Sequence, residues 1–383
     1  MAPTRRPDSP PIVKIDPSPA YELLQSIAVV FSDQDAGTYE VGEPWLAEAR
    51  ERAGDELLGR IREVTLGDGD TFVNLIGLVY DTPAPRDVPA FLAHLRQTDA
   101  NEIRLHLVGF YARETRRMTP PSVIRSAIAG DPSARDEFLR TSHPEWEPWT
   151  DYLTRVLDLD GETFKNELIA VLEAWAERVW KPESLTIMPI ITRDADAKRE
   201  MQRELPMDRF ITSATNGVEF APRPGIDRVV MVPSFVNRPL VTYNEFGEVL
   251  LIVYPVADES VTADADAPPL RLVRLSKALG DEKRLRILRA LAEGEKSLME
   301  LADMFGVPKT SMHHHMIVLR SAGLVAVGVG QKRYRLRSET VPDLGALLGG
   351  YLGAVSSPSA ASGLPAPGSA PAAARRRRTG TAG

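Results

Sequence analysis

The chain has 383 residues, of which 43% are hydrophobic and 26% are charged, and it contains no cysteine. This length suits two or three globular domains with a sizeable core. The absence of cysteine excludes a disulfide framework, thiolate zinc sites, iron–sulfur ligation and a cysteine nucleophile. The first twenty residues carry no apolar segment of the secretory type, and no apolar run approaches the ~18 residues that span a bilayer. We therefore expect a soluble, cytoplasmic protein.

Charge is distributed unevenly along the chain. The formal net charge is −7, but residues 1–269 carry −17, residues 270–337 carry +8 and residues 338–383 carry +2. A basic segment joined to an acidic one indicates that the basic part approaches a polyanion, which the acidic part would repel. The alternative is that the charges only keep each surface soluble.

Helical patterns dominate the first two-thirds of the chain. Residues 1–10 are rich in Pro and Arg and are predicted to be disordered, whereas Ile12–Ile15 predicts a short strand. A helix is predicted from Ser18, and further amphipathic helices follow between Gly-, Pro- and Asp-rich turns. These helices are predicted at Trp45–Leu66, Val88–Leu95, Ile103–Tyr111, Ser122–Ala129, Trp149–Leu157, Thr163–Trp180 and Leu185–Arg203.

The sequence pattern changes near residue 218 from amphipathic helices to β-branched runs. The β-branched runs Ile226–Val232 and Val249–Tyr254 predict a small antiparallel sheet, to which the Ile12 segment is a candidate addition. After residue 352 the chain is rich in Ala and Pro, and Arg375–Arg378 either add nonspecific phosphate contacts or remain solvated. The predicted organisation is a helical domain with a small sheet (11–258), a linker (259–269), a second domain (270–352) and a disordered tail (353–383).

The second domain has the layout of a helix-turn-helix. Ser297 and Glu300 have the spacing of a capping box, and the two-turn helix that they open ends at Gly306. A longer helix then runs from about Pro308 to Ala322. A short helix, a tight glycine turn and a second helix are typical of DNA-binding proteins of this type.

The second of these helices has an apolar face and a polar face. Met312, His315, Met316 and Leu319 share the face that seats the helix, while the polar residues at its start suit base edges in the major groove. The basic hairpin that follows suits phosphates or a neighbouring minor groove. The predicted DNA-binding residues are Lys309, Thr310, Ser311, His313, His314, Lys332, Arg333 and Arg335.

The three consecutive histidines at 313–315 are an alternative candidate for a metal tract. Successive helical residues diverge by ~100°, so three neighbours chelate one ion poorly. We therefore predict no metal site here, and His315 is interpreted as a packing residue.

The stretch LSKALGDEKRLRILRALAEGEKSLMELADMFGVPKTSMHHHMIVLRSAGLV, with the hairpin GVGQKRYRLR, resembles the winged helix-turn-helix of the ArsR family of bacterial transcription regulators. The resemblance covers roughly residues 270–350 and implies the DNA-binding positions given above, with a wing at Gly328–Arg335. It also implies a homodimer formed through the first and last helices, here Leu270–Leu279 and Pro342–Leu352. Cysteines that sense metal in many members are absent here, which excludes thiolate sensing, and Pro308 and Ile317 replace residues that are more often polar.

The acidic region resembles more loosely the long amino-terminal halves of some actinobacterial-type ArsR-like regulators. The resemblance rests on Val232-Pro233-Ser234 and Tyr254-Pro255, each at the end of a strand. It implies a regulatory or dimerising module but identifies no ligand.

No strong catalytic motif occurs in the acidic region. His94, His106 and His143 are far apart in sequence, and the pairs of aspartates lie at turns or helix starts, where carboxylates cap N–H groups. Trp175 shares a helical face with apolar residues, so it is assigned to the core, with a ligand cavity as the alternative.

We therefore predict a mainly α protein with small antiparallel β elements that acts as a one-component repressor. It would bind double-stranded DNA as a homodimer, respond to a small-molecule effector, and contain no catalytic residues, metal or cofactor. Two alternatives stay open. One is an enzyme in the amino-terminal domain with an autoregulatory winged helix, and the other is an architectural module whose winged helix contacts proteins.

Overall fold

The computed structural model describes residues 10–32, 38–66, 71–142, 147–222, 224–261, 268–328, 333–338 and 343–353. Helices predominate and two small sheets accompany them, which confirms the predicted fold class. The predicted disordered tail at 353–383 lies, beyond its first residue, outside the described residues, as do residues 1–9 of the predicted disordered start and residues 262–267 of the predicted linker.

The helices and strands have the following bounds. The helices are α1 (Pro19–Val30), α2 (Gly42–Val64), α3 (Thr71–Asn74), α4 (Ile76–Asp81), α5 (Val88–Gln97), α6 (Ala100–Leu107), α7 (Arg113–Met118), α8 (Pro121–Ile128), α9 (Pro132–Thr141), α10 (Glu147–Asp158), α11 (Gly161–Trp175), α12 (Lys181–Glu204), α13 (Met207–Ala214), α14 (Leu270–Leu279), α15 (Glu282–Ala292), α16 (Leu298–Phe305), α17 (Lys309–Ser321) and α18 (Asp343–Tyr351). The strands are β1 (Ile12–Ile15), β2 (Val218–Glu219), β3 (Arg228–Ser234), β4 (Thr242–Phe246), β5 (Val249–Pro255), β6 (Lys296–Ser297), β7 (Val325–Gly328) and β8 (Arg333–Leu336).

The first sheet is mixed, with the strand order β1-β3-β5-β4. The sequence predicts that β3 and β5 run antiparallel, but they pair in parallel, and β1 also runs parallel to β3. The physical reason is the position of β4, a half-exposed strand without an apolar run. After β3 the chain forms β4 at the outer edge of the sheet and then returns as β5, which pairs antiparallel with β4. The predicted antiparallel arrangement of β3 and β5 is therefore wrong, and the antiparallel neighbour of β5 is β4, which the sequence does not predict as a strand.

The central strands of this sheet are buried on both faces. Val230 and Val232 face the large helical core, whereas Val229 and Met231, one residue out of phase, face a second core formed with α13. Successive side chains of a strand point to opposite faces, so a continuous apolar run fits a sheet covered on both sides. This arrangement explains the uninterrupted β-branched runs of the sequence.

The two long helices α11 and α12 are joined without a loop. Residues 176–180 form a π-helical turn, in which the N–H of Lys181 bonds to the carbonyl of Ala176. Lys181 keeps α-helical dihedral angles, so the chain continues directly into α12 with Pro182 in its first turn. The sequence predicts an interruption between the two helices, and the π-helical turn replaces it because Pro182 is tolerated at a helix start.

A fully buried carboxylate supports the loop between β3 and β4, residues 235–241. Glu22 of α1 accepts hydrogen bonds from the backbone N–H groups of Phe235 and Val236, each at 2.8 Å. Burial raises the pKa of Glu22 to about 7, and these hydrogen bonds oppose the rise only in part. The loop that Glu22 holds carries Val241, whose carbonyl accepts a hydrogen bond from Arg320 of the carboxy-terminal part, and Arg238, which binds the carboxylate of Asp258.

Substitution of Glu22 tests this arrangement through the pH dependence of stability. The pKa of Glu22 rises from 4.5 to about 7 on folding, so the folded state binds the proton more tightly and loses stability as pH rises through this interval. Glu22→Gln does not titrate, and we expect its stability relative to the wild type to rise by up to about 3 kcal/mol between about pH 4 and pH 8. Urea unfolding across this range measures the difference.

The exposed Glu200→Gln variant of α12 controls for the loss of one negative charge. A stability difference between Glu22→Gln and the wild type that stays constant with pH would contradict the raised pKa.

Candidate nucleic-acid interface

The helix-turn-helix forms where the sequence predicts it. The N–H of Glu300 donates to the Ser297 hydroxyl at 3.2 Å, and the Glu300 carboxylate accepts from the Ser297 N–H at 2.6 Å, so both halves of the capping box are present at the start of α16. The helix ends at Gly306, whose φ of 60° lies in the left-handed region that favours glycine. Two residues later α17 begins after Pro308.

Helix α17 is seated by one face and exposed along the other. Met312, Met316 and Leu319 are buried in a core cluster with residues of α15 and α16. The predicted reading residues all lie on the exposed side at the amino-terminal half of the helix, namely Lys309, Thr310, Ser311, His313 and His314. Their position leaves the positive end of the helix dipole and its polar side chains available to a ligand.

The histidines of α17 are not equivalent. Partial desolvation, followed by the positive charges of Arg320 and Lys309, lowers the pKa of His313. His313 is therefore neutral near pH 7 and can both donate and accept a hydrogen bond. His315 is half-buried on the inner face, as the sequence predicts, and desolvation lowers its pKa as well.

The hairpin after α17 forms a small sheet, in which β7 and β8 pair in antiparallel fashion and β6 adds to the other edge of β8. Arg333 is exposed, and its guanidinium contacts the Glu300 carboxylate at 3.2 Å and the Glu295 carbonyl at 2.7 Å. It therefore lies next to the start of α16. The predicted contact Lys332 falls outside the described residues.

The free edge of this sheet is covered by the amino-terminal part of the chain. Strand β2 pairs in parallel with β7, in the register Val218 to Val327 and Glu219 to Gly328. Glu219 also accepts a hydrogen bond from the Nε of Arg335 at 2.8 Å. Arg335, predicted to contact DNA, is thus paired with a carboxylate of the same chain.

Buried ion pairs form a second contact between the two parts of the chain. The Arg274 guanidinium of α14 lies 2.8 Å from the Glu40 carboxylate and 2.7 Å from that of Asp258. Arg238, only 2% exposed, contacts the same two carboxylates. Burial acts to raise the pKa of Glu40, but the two arginines outweigh it and hold the pKa below its usual value.

The carboxy-terminal end of α17 makes a third contact. Arg320 donates a hydrogen bond to the carbonyl of Val241 at 2.9 Å, and the Asn216 amide donates to the carbonyl of Ser321 at 3.1 Å. Gly323 follows the helix with a φ of 70°, and a Cβ at this position would lie 2.6 Å from the Asn216 side-chain oxygen. The left-handed dihedral angle favours glycine here, and a Cβ would also displace the Asn216 side chain. The contacts of α17 thus divide the helix into a docked end and an exposed end.

Two of the histidines considered for catalysis, His94 and His106, are close enough to interact electrostatically. His106 is buried against Phe246 and Tyr111, and burial lowers its pKa to about 3. The cavity beside it measures about 60 Å³, far below the ~300 Å³ of a small-molecule site. His94 is half-buried and close enough to His106 for its charge to contribute to the lowered His106 pKa. His143 lies outside the described residues.

The aspartate pairs that the structure describes have structural contacts. Asp160 caps α11 through the N–H of Thr163, as the sequence predicts. Asp194 is fully buried and accepts hydrogen bonds from the Tyr254 hydroxyl and the Ala257 N–H. Among the described residues, no group of three or more His, Asp or Glu side chains is placed to hold a metal ion.

Trp175 belongs to the core, as its position on the helix predicts. It is fully buried, and its indole N–H donates to the Ser26 hydroxyl at 2.9 Å. This contact fixes α11 against α1, which makes Trp175 a packing residue.

Several contacts of the interface could not be found from the sequence. Glu219, Arg274 and Arg320 carry no distinguishing local pattern, because their partners are 116, 234 and 79 residues away along the chain. The sequence indicates only that residues 1–269 and residues 270–337 carry opposite net charge.

A family model described as a helix-turn-helix domain matches residues 279–328. The match spans α15, α16, α17 and β7, and it supports the function of a DNA-binding transcription regulator. A search of curated proteins and a search of solved structures found no match to this chain. Within the described ranges, no helix combines the length and apolar character that crossing a membrane requires.

The pair of Arg335 and Glu219 yields a prediction for DNA affinity. Both side chains are about one-third exposed, so the pair contributes at most about 1 kcal/mol. Glu219→Gln releases Arg335 for phosphate, and we expect DNA affinity to rise by up to about fivefold in fluorescence anisotropy titrations. The gain should vanish when Arg335→Ala is combined with Glu219→Gln.

The matched control is Glu177→Gln, which removes an exposed carboxylate from the amino-terminal part of the chain. An equal gain in affinity from both glutamate substitutions would show a general charge effect and would contradict a specific role of Arg335.

Proposed function

We propose that this protein is a cytoplasmic, one-component transcription regulator of the ArsR type that acts as a repressor. The observation that carries the proposal is the division of α17 into a buried face, anchored by Met312 and Met316, and an exposed polar half that begins at Lys309. Recognition helices of this class meet base edges with their amino-terminal residues. The helix-turn-helix match and the positive charge of residues 270–337 support the same function.

The helix and the hairpin have different roles in this proposal. Polar side chains of α17 set the sequence preference, because they can form hydrogen bonds with base edges. Arg333, exposed at the hairpin, contacts phosphate and sets the affinity and its salt dependence. Arg335 contributes only when its pair with Glu219 is exchanged for phosphate.

We further propose a homodimer that forms through α14 and α18. Leu344 and Leu347 of α18 pack on the core of the carboxy-terminal part, whereas Leu348 and Tyr351 are 45% and 44% exposed. Exposed apolar side chains on one helix favour a protein partner. A twofold dimer would place two α17 helices on the half-sites of a palindromic operator.

The amino-terminal part is proposed to regulate DNA binding and to have no catalytic role. Its strand β2 and its carboxylates Glu40 and Glu219 contact the DNA-binding part directly. A small molecule that changes this contact would change how the two α17 helices of a dimer are spaced, and so their fit to an operator. The small cavity at His106 and the structural use of Asp194 support regulation over catalysis.

Substitutions in the reading helix and the hairpin test DNA binding. Genome-wide footprinting first supplies a bound duplex. On that duplex we expect Lys309→Ala and His314→Ala to cost about 1–3 kcal/mol each if the side chain contacts a base. Arg333→Ala should weaken binding to all sequences alike and reduce the salt slope by about one, because one phosphate contact is lost.

Lys181→Ala, an exposed substitution on α12, serves as the control and should leave DNA affinity unchanged. The absence of salt-dependent binding to every footprinted duplex by the wild-type protein would overturn the proposal. Unchanged affinity in all three test variants would favour a role for the winged helix in protein contacts.

The dimer is tested by the mass of the protein in solution. Leu348→Glu places a charge on the exposed apolar side of α18, and we expect the dimer to dissociate in light-scattering measurements because burying an unpaired charge is costly. Met299→Glu makes the same change at another exposed apolar side chain, 51% exposed on α16, and should leave the dimer intact. A wild-type protein that is monomeric at high concentration would contradict the dimer.

A further inference from the structure

Helices α14 and α15 meet at a tight corner, which the guanidinium of Arg284 holds together. It donates hydrogen bonds to the carbonyl of Ala278 at 2.8 Å and to the carbonyl of Lys277 at 2.7 Å. The Asp281 carboxylate caps α15 by accepting from the N–H of Arg284 at 2.9 Å. These contacts fix the direction in which the first turn of α15 leaves the corner.

The first turn of α15 carries an exposed cation, Lys283, which has no ion-pair partner among the residues that the structure describes. The two carboxylates that precede it in sequence each lie close to an arginine. The Asp281 carboxylate lies 3.8 Å from the guanidinium of Arg284, and that of Glu282 lies 4.0 Å from the guanidinium of Arg286. The ammonium of Lys283 is therefore free to bind an anion from outside the chain.

This cation lies beside the exposed half of α17. Helices α15 and α17 share one apolar cluster, to which Ile287 and Met316 belong. Desolvation is the main cause of the lowered pKa of His315, and Lys283 is near enough for its positive charge to add to the effect. His315 directly follows His314, one of the exposed polar residues at the start of α17. Lys283 therefore borders the surface that the proposed function assigns to base edges.

Lys283 and Arg333 are associated with opposite ends of α16. The guanidinium of Arg333 contacts the carboxylate of Glu300 in the first turn of α16. At the other end, Arg286, one turn after Lys283, has its guanidinium carbon 5.9 Å from the ring centroid of Phe305, the last residue of α16. A helix of eight residues is about 12 Å long, and the major groove is about 12 Å wide. The separation of the two cations therefore suits the two phosphate backbones that border one groove.

We propose that the corner of α14 and α15 is a second contact with the DNA backbone, in which Lys283 binds a phosphate across the major groove from the phosphate that Arg333 binds. The inference rests on the proposed function and extends it. Phosphate contacts determine how a protein is positioned on the duplex, whereas base contacts determine the sequence preference. Two contacts on either side of the groove fix the position of α17 between them, so that its polar residues meet the bases in one register.

The salt dependence of DNA binding tests this contact in the full-length protein. We expect Lys283→Gln to reduce the salt slope for a footprinted duplex by about 0.9, because one phosphate contact is lost. The affinity advantage of the wild type over the variant should therefore decrease about threefold between roughly 50 and 200 mM salt. Fluorescence anisotropy titrations measure both quantities, and circular dichroism checks that the variant is folded.

Arg289→Gln is the matched control. It removes the same charge from another exposed position of α15, about 9 Å further along the helix axis. We expect this variant to keep the salt slope of the wild type, because the proposed contact lies at the first turn of the helix.

Neutral methylphosphonate groups locate the contact on the DNA. In a set of duplexes, each with one phosphate replaced by a methylphosphonate, the phosphate bound by Lys283 should be the one whose replacement weakens the wild type but not Lys283→Gln. A double-mutant comparison of this kind isolates the interaction between the two groups. Arg333→Ala should lose its sensitivity at a different phosphate, on the opposite edge of the same groove.

The outcomes separate this inference from the proposed function. If Lys283→Gln stays sensitive to every phosphate to which the wild type is sensitive, the inference is wrong and the proposed function stands. An equal decrease of the salt slope in Arg289→Gln, or phosphates of Lys283 and Arg333 on the same edge of the groove, would also contradict it. The absence of binding to every footprinted duplex by the wild type would refute the proposed function itself.

Discussion

The contact between β2 and β7 joins an acidic and a basic half of one chain, and the ion pairs of Arg274 and Arg335 reinforce it. Backbone hydrogen bonds between β2 and β7 pair the edge of the small sheet. The carboxy-terminal part is therefore held by this contact as well as by the linker. This docking determines which end of α17 is covered. The contacts at Arg320 and Ser321 hold its last turn, and the polar face of its first turns stays exposed.

Two kinds of anion compete for the cations of the carboxy-terminal part. The cations that suit DNA also suit the carboxylates of the amino-terminal part, and a shared guanidinium can serve only one of them at a time. Arg274 is committed to buried carboxylates, where loss of one partner is costly, while the pair of Arg335 with Glu219 is more exposed and exchanges at little cost. Burial therefore separates the cations that hold the fold from those whose exposed pairs can exchange partners.

The loop between β3 and β4 connects the core to this contact. Glu22 holds its start through two backbone N–H groups, Arg238 extends from its middle into the ion cluster, and the carbonyl of Val241 at its end accepts from Arg320. A carboxylate deep in the core thus orients the docking surface.

Local features of the DNA-binding part were predictable from the sequence. The capping box at Ser297, the glycine turn at Gly306 and the two faces of α17 depend on residues within a few positions of one another, so their spacing alone predicts them. In the same way, the β-branched runs predict β3 and β5. Their parallel pairing was missed because it depends on β4, whose polar sequence resembles a loop.

The sequence by itself therefore determined the helix-turn-helix, the exposed polar face at the start of α17 and the separation of charge, since each follows from short-range periodicity and composition. Only the tertiary structure decided that Glu219 pairs with Arg335 and that Glu40 and Asp258 hold Arg274. These contacts join residues that are mostly far apart along the chain, and their energy arises when folding brings the elements together. No local pattern predicts such ion pairs, because each charged residue has many possible partners of opposite charge along the chain. The packing of the helices and strands determines which pair forms.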